Sequence, residues 1–376
     1  MNARDDRAAR AAAGAGFGDL EEPVTNQRSA SPEGDALRLR PSIELLEGAD
    51  GDVYLLRPGR DPDVAVRRPS DADRALLRAL AAGPMAAGED ARERLAALIE
   101  AGLVTMEAPS LPLAAPEAER FSRQLPYLAE FGEPATMQRR LRSASVVLLG
   151  CGGLGTWVLG ALACVGIGRV VIIDDDSVDL SNLNRQILYR VDDIGRSKVE
   201  LAADWLGAFD PGIEVVLERR RVAGPEDLDG SLAGADALVL AADWPPYELA
   251  HWVNAACVRA NVPFIAAGHQ PPLLRVGPLY LAGGGPCYSC HERQLRLSYP
   301  RYDEVIAHRR RSGVPATTLG PASGVVGTLV AMELMHLFVA GEAATQRRAL
   351  LMDMRTLASE LELVERDPDC EVCAAR

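Results

Sequence analysis

The chain has 376 residues, 48% of them hydrophobic and 25% charged, with a formal net charge of −13. This length accommodates two domains with a sizeable core, and the acidic balance argues against general nucleic-acid binding. No uncharged apolar run approaches the roughly 18 residues of a membrane span, the N-terminus lacks the apolar core of a secretory signal, and the seven cysteines read as thiols of a cytoplasmic protein.

Residues 1–35 are polar and rich in Ala, Arg, Gly and Ser, which predicts a disordered tail. Residues 36–108 form a different unit. Apolar runs at 37–39, 43–46, 53–56 and 64–66, separated by Pro, Gly and Asp, predict short strands. Ser70 is placed to cap a helix bearing Leu76, Leu77 and Leu80. A second helix over 89–101 aligns Leu95, Leu98 and Ile99 on one stripe and stops at Gly102. Residues 103–106 read as a strand again. Strands, helices and a closing strand suggest a small winged-helix module. Residues 109–118, with three prolines, are the expected linker to a larger domain over 119–376.

In that domain, residues 146–149 (Val-Val-Leu-Leu) predict a strand buried on both faces. Gly150, Gly152, Gly153 and Gly155 follow in Gly-Cys-Gly-Gly-Leu-Gly, then an apolar helix to Val165 and a second buried strand over 169–174. Small residues let backbone approach a phosphate at a helix N-terminus. Asp174 stands where an acidic residue takes ribose hydroxyls. This β-turn-α-β unit predicts a mononucleotide or dinucleotide site. Residues 174–186 read Asp-Asp-Asp-Ser-Val-Asp-Leu-Ser-Asn-Leu-Asn-Arg-Gln, and residues 195–198 read Gly-Arg-Ser-Lys. Lys198 is the only lysine among 40 Lys and Arg residues. A compact ammonium in a chain that otherwise uses rigid guanidinium groups marks a candidate phosphate contact; the alternative is an accident of composition. A strand over 237–241 leads to Asp243.

Cys287 and Cys290, and Cys370 and Cys373, form two Cys-x-x-Cys pairs, a thiolate set for zinc if the fold brings them together. Two redox pairs or two disulfides are the alternatives. Cys151 lies in the glycine turn, and Cys164 and Cys257 lie on apolar helices where buried thiols are expected. Arg293, Arg296, Arg301, Arg309, Arg310 and Arg311 form a basic stretch with Tyr299 and Tyr302. It reads either as an attractor for a carboxylate or for ATP, or as a solvated loop. The five histidines show no shared ligand spacing and read as packing or surface residues.

The glycine turn, the Asp-rich run ending in Ser-Asn-Leu-Asn-Arg-Gln and the later Lys198 resemble the E1-like adenylating family of ThiF, MoeB and HesA type, from about Arg120 to the C-terminus. The resemblance implies an α/β fold: a Rossmann-like E1 adenylation domain with a structural zinc site at the four paired cysteines. It places Asp174 on the ribose of ATP, and Asn182, Arg185 and Lys198 on the phosphates, with Gln186 closing the motif. It places Mg2+ on Asp243. Arg123, in Arg-Phe-Ser-Arg-Gln at 120–124, would reach the neighbouring subunit's ATP in a homodimer; read alone it is a solvated helix residue. Carboxylate attack on an α-phosphate joins two anions, so such catalysis is mostly positioning and cation placement.

Sulfur-carrier and ubiquitin activators of this family often hold a nucleophilic Cys in the segment matching residues 292–318. Here that segment has none, and Gly313 stands near the position. In this respect the chain resembles the microcin C-type peptide adenylyltransferases. Residues 36–108 are similar to the PqqD-like recognition element of ribosomal peptide biosynthesis, through Leu-Arg-Pro-Ser at 39–42 and Ala-Gly-Leu-Val at 101–104. Such elements add a leader peptide to a sheet edge; the alternative is an appendage that supports the dimer. The expectation is an enzyme using ATP, Mg2+ and Zn2+ on a precursor peptide, with a possible downstream modifying enzyme. Its rivals are an activator of a ubiquitin-like sulfur carrier and a non-catalytic leader-binding scaffold for a partner cyclodehydratase.

Overall fold

The computed structural model describes residues 36–57, 63–86, 88–107, 111–270, 272–312 and 317–373. The tail expected over 1–35 and the position of Gly313 lie outside them. The chain divides into two compact units, Met1–Gln138 and Arg139–Arg376.

The first unit runs β1 (Ala36–Leu39), β2 (Glu44–Glu47), β3 (Val53–Leu56), β4 (Val64–Val66), α1 (Asp71–Ala82), β5 (Met85–Ala86), α2 (Glu89–Arg94), α3 (Ala96–Glu100), β6 (Val104–Glu107), α4 (Ala115–Arg120) and α5 (Leu125–Leu128). Ser70 caps α1 through a reciprocal box with Asp73. The helix expected over 89–101 is interrupted at Leu95, which ends α2 and starts α3. The strands form two antiparallel sheets rather than one, β5-β1-β6 and β2-β3-β4. Leu37, Leu39, Val53, Leu55, Leu77, Leu80, Leu95 and Leu98 share one core. Asp52 ties the second sheet together, accepting from Arg67 Nη1 at 2.6 Å and Arg68 N at 2.8 Å. The Arg67 bond holds its carboxyl below the usual range.

Helix α6 (Pro134–Ser143) leads into the second unit. There follow β7 (Ser145–Leu149), α7 (Gly153–Val165), β8 (Arg169–Ile173), α8 (Lys198–Phe209), β9 (Glu214–Glu218), α9 (Asp229–Leu232), β10 (Ala237–Leu240), α10 (Leu249–Ala260), β11 (Phe264–Gln270), β12 (Leu273–Tyr280), α11 (Tyr288–Ser298), α12 (Tyr302–Ser312), α13 (Gly320–Ala340), β13 (Arg348–Asp353) and β14 (Ser359–Leu363). One eight-stranded sheet has the order β14-β13-β12-β11-β10-β7-β8-β9. Strands β9, β8, β7, β10 and β11 run parallel, and β12 to β14 extend the sheet antiparallel. Side chains of β7 alternate between two cores: Val146 and Leu148 face α7, α8 and α13, and Val147 and Leu149 face α10. This is the double burial that an uncharged apolar run predicts.

Among the described residues, α13 is the one helix long and apolar enough to cross a membrane. Its uncharged run, residues 320–332, stops at Glu333. Its apolar window is 61% buried, and it packs on α7, β11 and β12, so it reads as a core helix. Contact with α7 depends on Gly327, where an added β-carbon would stand 2.6 Å from Trp157 Cβ. Gly327→Ala should therefore destabilise this unit by about 1–3 kcal/mol, read by urea unfolding.

Candidate active site

Strand β7 ends in the glycine turn. Gly150 has φ +100°, and a β-carbon there would lie 2.6 Å from Ala242 N, so the turn closes directly on the segment leaving β10. Helix α7 starts from Gly152 with no side chain capping it. Such a terminus offers free N–H groups and a positive dipole end to an anion.

Asp174 follows β8 and ties itself to this turn. Its carboxylate accepts from Cys151 N at 2.6 Å and from Asp176 N at 2.8 Å. Burial raises its pKa despite both bonds. Asp176 in turn meets Lys198: Nζ lies 2.8 Å from Oδ2, and Lys198 N donates to Asp176 O at 3.1 Å. The lysine stem is buried at the first turn of α8, with 6% of the side chain exposed. The sole ammonium is thus held with its head against an exposed carboxylate, within the same loop system as Asp174.

Residues Leu180–Asn182 form a single 3-10 turn in which Asn182 Oδ1 accepts from Asp179 N at 3.0 Å. Part of the role of Asn182 is therefore to build its own turn. Arg185 Nη1 donates to Ser181 O at 2.8 Å and Asn184 Oδ1 at 2.9 Å. Its stem lies over Gly153, where an added β-carbon would meet Arg185 Cδ at 3.1 Å and Ser323 Oγ at 3.2 Å. Gln186 is buried beside Gly152, and its Oε1, like Ser323 Oγ, has no hydrogen-bond partner. Gln186 thus stands beside Gly152 and Arg185 beside Gly153, while Lys198 stands with Asp176. Asp243, beyond β10, is exposed and carries no hydrogen bond or ion pair among the described residues. Arg123 belongs to the other compact unit and is exposed between α4 and α5.

The remaining candidates sort differently. Cys287, Cys290, Cys370 and Cys373 are free, buried and clustered within 4.8 Å. Three of their sulfur separations are 3.9, 3.6 and 3.5 Å. A tetrahedron with Zn–S bonds of about 2.3 Å has edges of about 3.8 Å, so the donor set fits a metal and not the roughly 2.05 Å of a disulfide. Cys151 and Cys257 are buried, and burial pushes both thiols up to about 12. Cys164 is exposed, against expectation: it lies near the end of α7, on the side turned away from the core. The basic stretch is largely paired, with Arg293 on Asp367, Arg296 on Glu292 and Asp303, Arg301 on Glu304 and Arg310 on Glu248. His291 is enclosed between Tyr280 and Arg275, and burial lowers it to about 4.

His269 was expected to be a packing or surface residue. It stands near the end of β11, its Nε2 2.8 Å from Thr318 Oγ1, and the Arg185 charge acts on it. No spacing rule marks it, since Arg185 and Thr318 are distant in sequence.

A mixed sheet whose parallel strands carry a glycine turn, an acid after the second strand and a cation-bearing loop has the arrangement of an α/β nucleotide-binding domain. Residues 121–372 match the ThiF family, and the chain belongs to this family of E1-like adenylyltransferases. It is 34% identical over 271 residues to the adenylyltransferase and sulfurtransferase MOCS3 of Sus scrofa, covering 71% of this chain and 56% of that protein. It thus spans little more than half of that relative. The sulfur carrier protein ThiS adenylyltransferase of Escherichia coli is 33% identical over 239 residues, 63% of this chain and 88% of its own. Among solved structures, E. coli MccB with ATP superposes with a TM-score of 0.69 at 26% identity, covering 90% of this chain and 99% of MccB.

The pH linkage of Asp174 has a definite sign. A carboxyl whose pKa is raised on folding contributes stability below its unfolded value and loses it as pH rises through the folded value. Asp174→Asn removes this term. The variant's stability relative to the unaltered protein should rise between about pH 4 and about pH 7, measured by urea unfolding at both.

Proposed function

We propose that this chain uses ATP to adenylate a carboxylate on a ribosomally made precursor peptide, forming an acyl-AMP without a thioester cysteine. The observation that carries this reading is coverage. The likeness to MccB takes in 90% of the chain, whereas the ThiS adenylyltransferase accounts for 63%. A microcin C7 biosynthetic enzyme, MccB in complex with N-formylated MccA, superposes over the same share at 25% identity and a TM-score of 0.68. The chain also has no Cys between Cys290 and Cys370.

In this reading Asp174 receives the ribose hydroxyls, and the uncapped α7 terminus, Asn182, Arg185, Gln186 and Lys198 hold the phosphates. The substrate carboxylate attacks the α-phosphorus, the bond to the β-phosphate oxygen breaks, and pyrophosphate leaves. Arg185 and Lys198 oppose the charge that builds on the phosphoryl oxygens. Arg123 of a second copy completes the site in a homodimer. Asp243, an unpaired hard-oxygen donor, suits Mg2+, which is commonly held by one or two carboxylates together with phosphates; when bound it supplies charge neutralisation. The first unit, with β2 and β4 as edges of a three-stranded sheet, receives the leader by strand addition. The setting is the cytoplasm, with a downstream enzyme consuming the product. Activation of a sulfur carrier is the second reading, favoured by the identity to the ThiS adenylyltransferase.

Peptide-dependent ATP–pyrophosphate exchange, with short peptides encoded beside this gene, tests the assignment. Exchange that needs such a peptide supports it; exchange only with a carrier ending in Gly-Gly supports the second reading. Lys198→Ala should keep its circular dichroism and lose at least about 100-fold in exchange, the scale of about 2.7–4 kcal/mol for one lost transition-state contact. Retained exchange would sink the site assignment.

The four-thiolate cluster is assigned to structural zinc, because four protein ligands leave no open position. Elemental analysis should find about one zinc per chain, and Cys370→Ser or chelation should lower the melting temperature. A metal-free protein of unchanged stability would refute it.

A further inference from the structure

The groups at the carboxyl edge of the sheet follow its strand order. Asp174 follows β8, the glycine turn follows β7, Asp243 lies beyond β10 and His269 stands near the end of β11. Adjacent strands are about 4.8 Å apart, so β11 lies about 10 Å from the strand that carries the glycine turn. With ribose at Asp174 and phosphates at the turn, the acyl substrate approaches from the β11 side.

Ile265 and Ala267 face the α7 and α13 side of the sheet, and Phe264 and Ala266 face the other. His269 continues the first column and reaches Thr318, just before α13. Gly320, at the start of α13, abuts Asn184 O, within 2.6 Å of where its β-carbon would stand. His269, Thr318 and Arg185 therefore lie close to one another. His269 Nδ1 has no hydrogen-bond partner among the described residues. With Thr318 Oγ1 accepting from Nε2–H, Nδ1 presents its lone pair.

The adenylation step has no use for this group, because a carboxylate is already deprotonated at neutral pH. The step that consumes the acyl-AMP does. With no cysteine thiolate in the 292–318 segment, the nucleophile is an amine, amide, hydroxyl or water that must lose a proton.

Resting on the adenylation reading, we propose that His269, oriented by Thr318, accepts the proton of the nucleophile that attacks the acyl-adenylate. The nucleophile's lone pair forms a bond to the acyl carbon. The bond from that carbon to the phosphate oxygen breaks, its electrons leave with AMP, and the proton moves to His269 Nδ1. Burial and the Arg185 charge lower the pKa of His269, which keeps the ring neutral and ready to accept.

The test compares two half-reactions with one peptide that supports exchange. Pyrophosphate exchange reads formation of the adenylate; AMP release to water and to added glycinamide reads its consumption. His269→Gln should lower AMP release about 100-fold more than it lowers exchange, within the range for a lost general base. Added imidazole should restore release in His269→Ala. Equal losses in both half-reactions, undiminished release, or an unaltered enzyme that exchanges but releases no AMP would each overturn the proposal. An unaltered enzyme that exchanges with no peptide removes the adenylation reading itself.

Discussion

The carboxylate of Asp174 links the two halves of the nucleotide unit. One oxygen holds the backbone of the glycine turn at Cys151, and the other holds the backbone of Asp176. Through Asp176 the link continues to the ammonium and the backbone of Lys198. A single buried acid thus sets the turn after β7, the loop after β8 and the start of α8 relative to one another. The cost is visible in its raised pKa: desolvation outweighs two short hydrogen bonds. Ribose hydroxyls brought to this carboxylate would supply further donors to a charge that the protein alone leaves under-solvated.

The same constraint explains the division of labour around the glycine turn. The nucleotide side is built from short-range parts, a turn and a loop that follow consecutive strands. The opposite side draws on long-range parts. Helix α13 comes from far along the chain to lie on α7, with Ser323 against Gly153, and the residues just before it bring Thr318 against His269. Of the four unpartnered buried side-chain oxygens among the described residues, Gln186 Oε1 and Ser323 Oγ lie at the junction of these halves. A buried polar atom without a partner is costly, and this is where a ligand's hydrogen bonds would relieve it.

The cysteine cluster plays a comparable part at the other end of the unit. Cys287 and Cys370 are 83 residues apart, as are Cys290 and Cys373, yet their sulfurs approach to 3.6 and 3.5 Å. It pins the chain's last described residues to the start of α11. Around it the arginines of α11 and α12 pair with Asp367, Glu292, Asp303 and Glu248. Their charge serves mainly to hold these helices, not to form an open basic surface.

Local rules were enough for β7, α7, β8 and the Asp174–Lys198 segment, because an apolar run, a glycine turn and a helix carry their own periodicity. They were enough also for the capping box of α1 and for recognising the two cysteine pairs, though only the fold brings the four sulfurs together. They did not reveal that β1 leaves β2 to pair with β5 and β6, nor that Leu95 interrupts a helix, since strand partners and helix breaks depend on what packs from elsewhere. Cys164 reads as buried from its apolar helix and emerges exposed, because that helix has an outer side. His269 is invisible to any motif: its meaning arises from Thr318 and Arg185, which only the packing of α13 and the 180–186 turn bring to it. The sequence by itself determined the glycine turn, the loop after β8 and the two cysteine pairs, since neighbours along the chain make those. The tertiary structure decided the approach of Thr318 and Arg185 to His269, since an arrangement assembled across strand order has no signature along the chain.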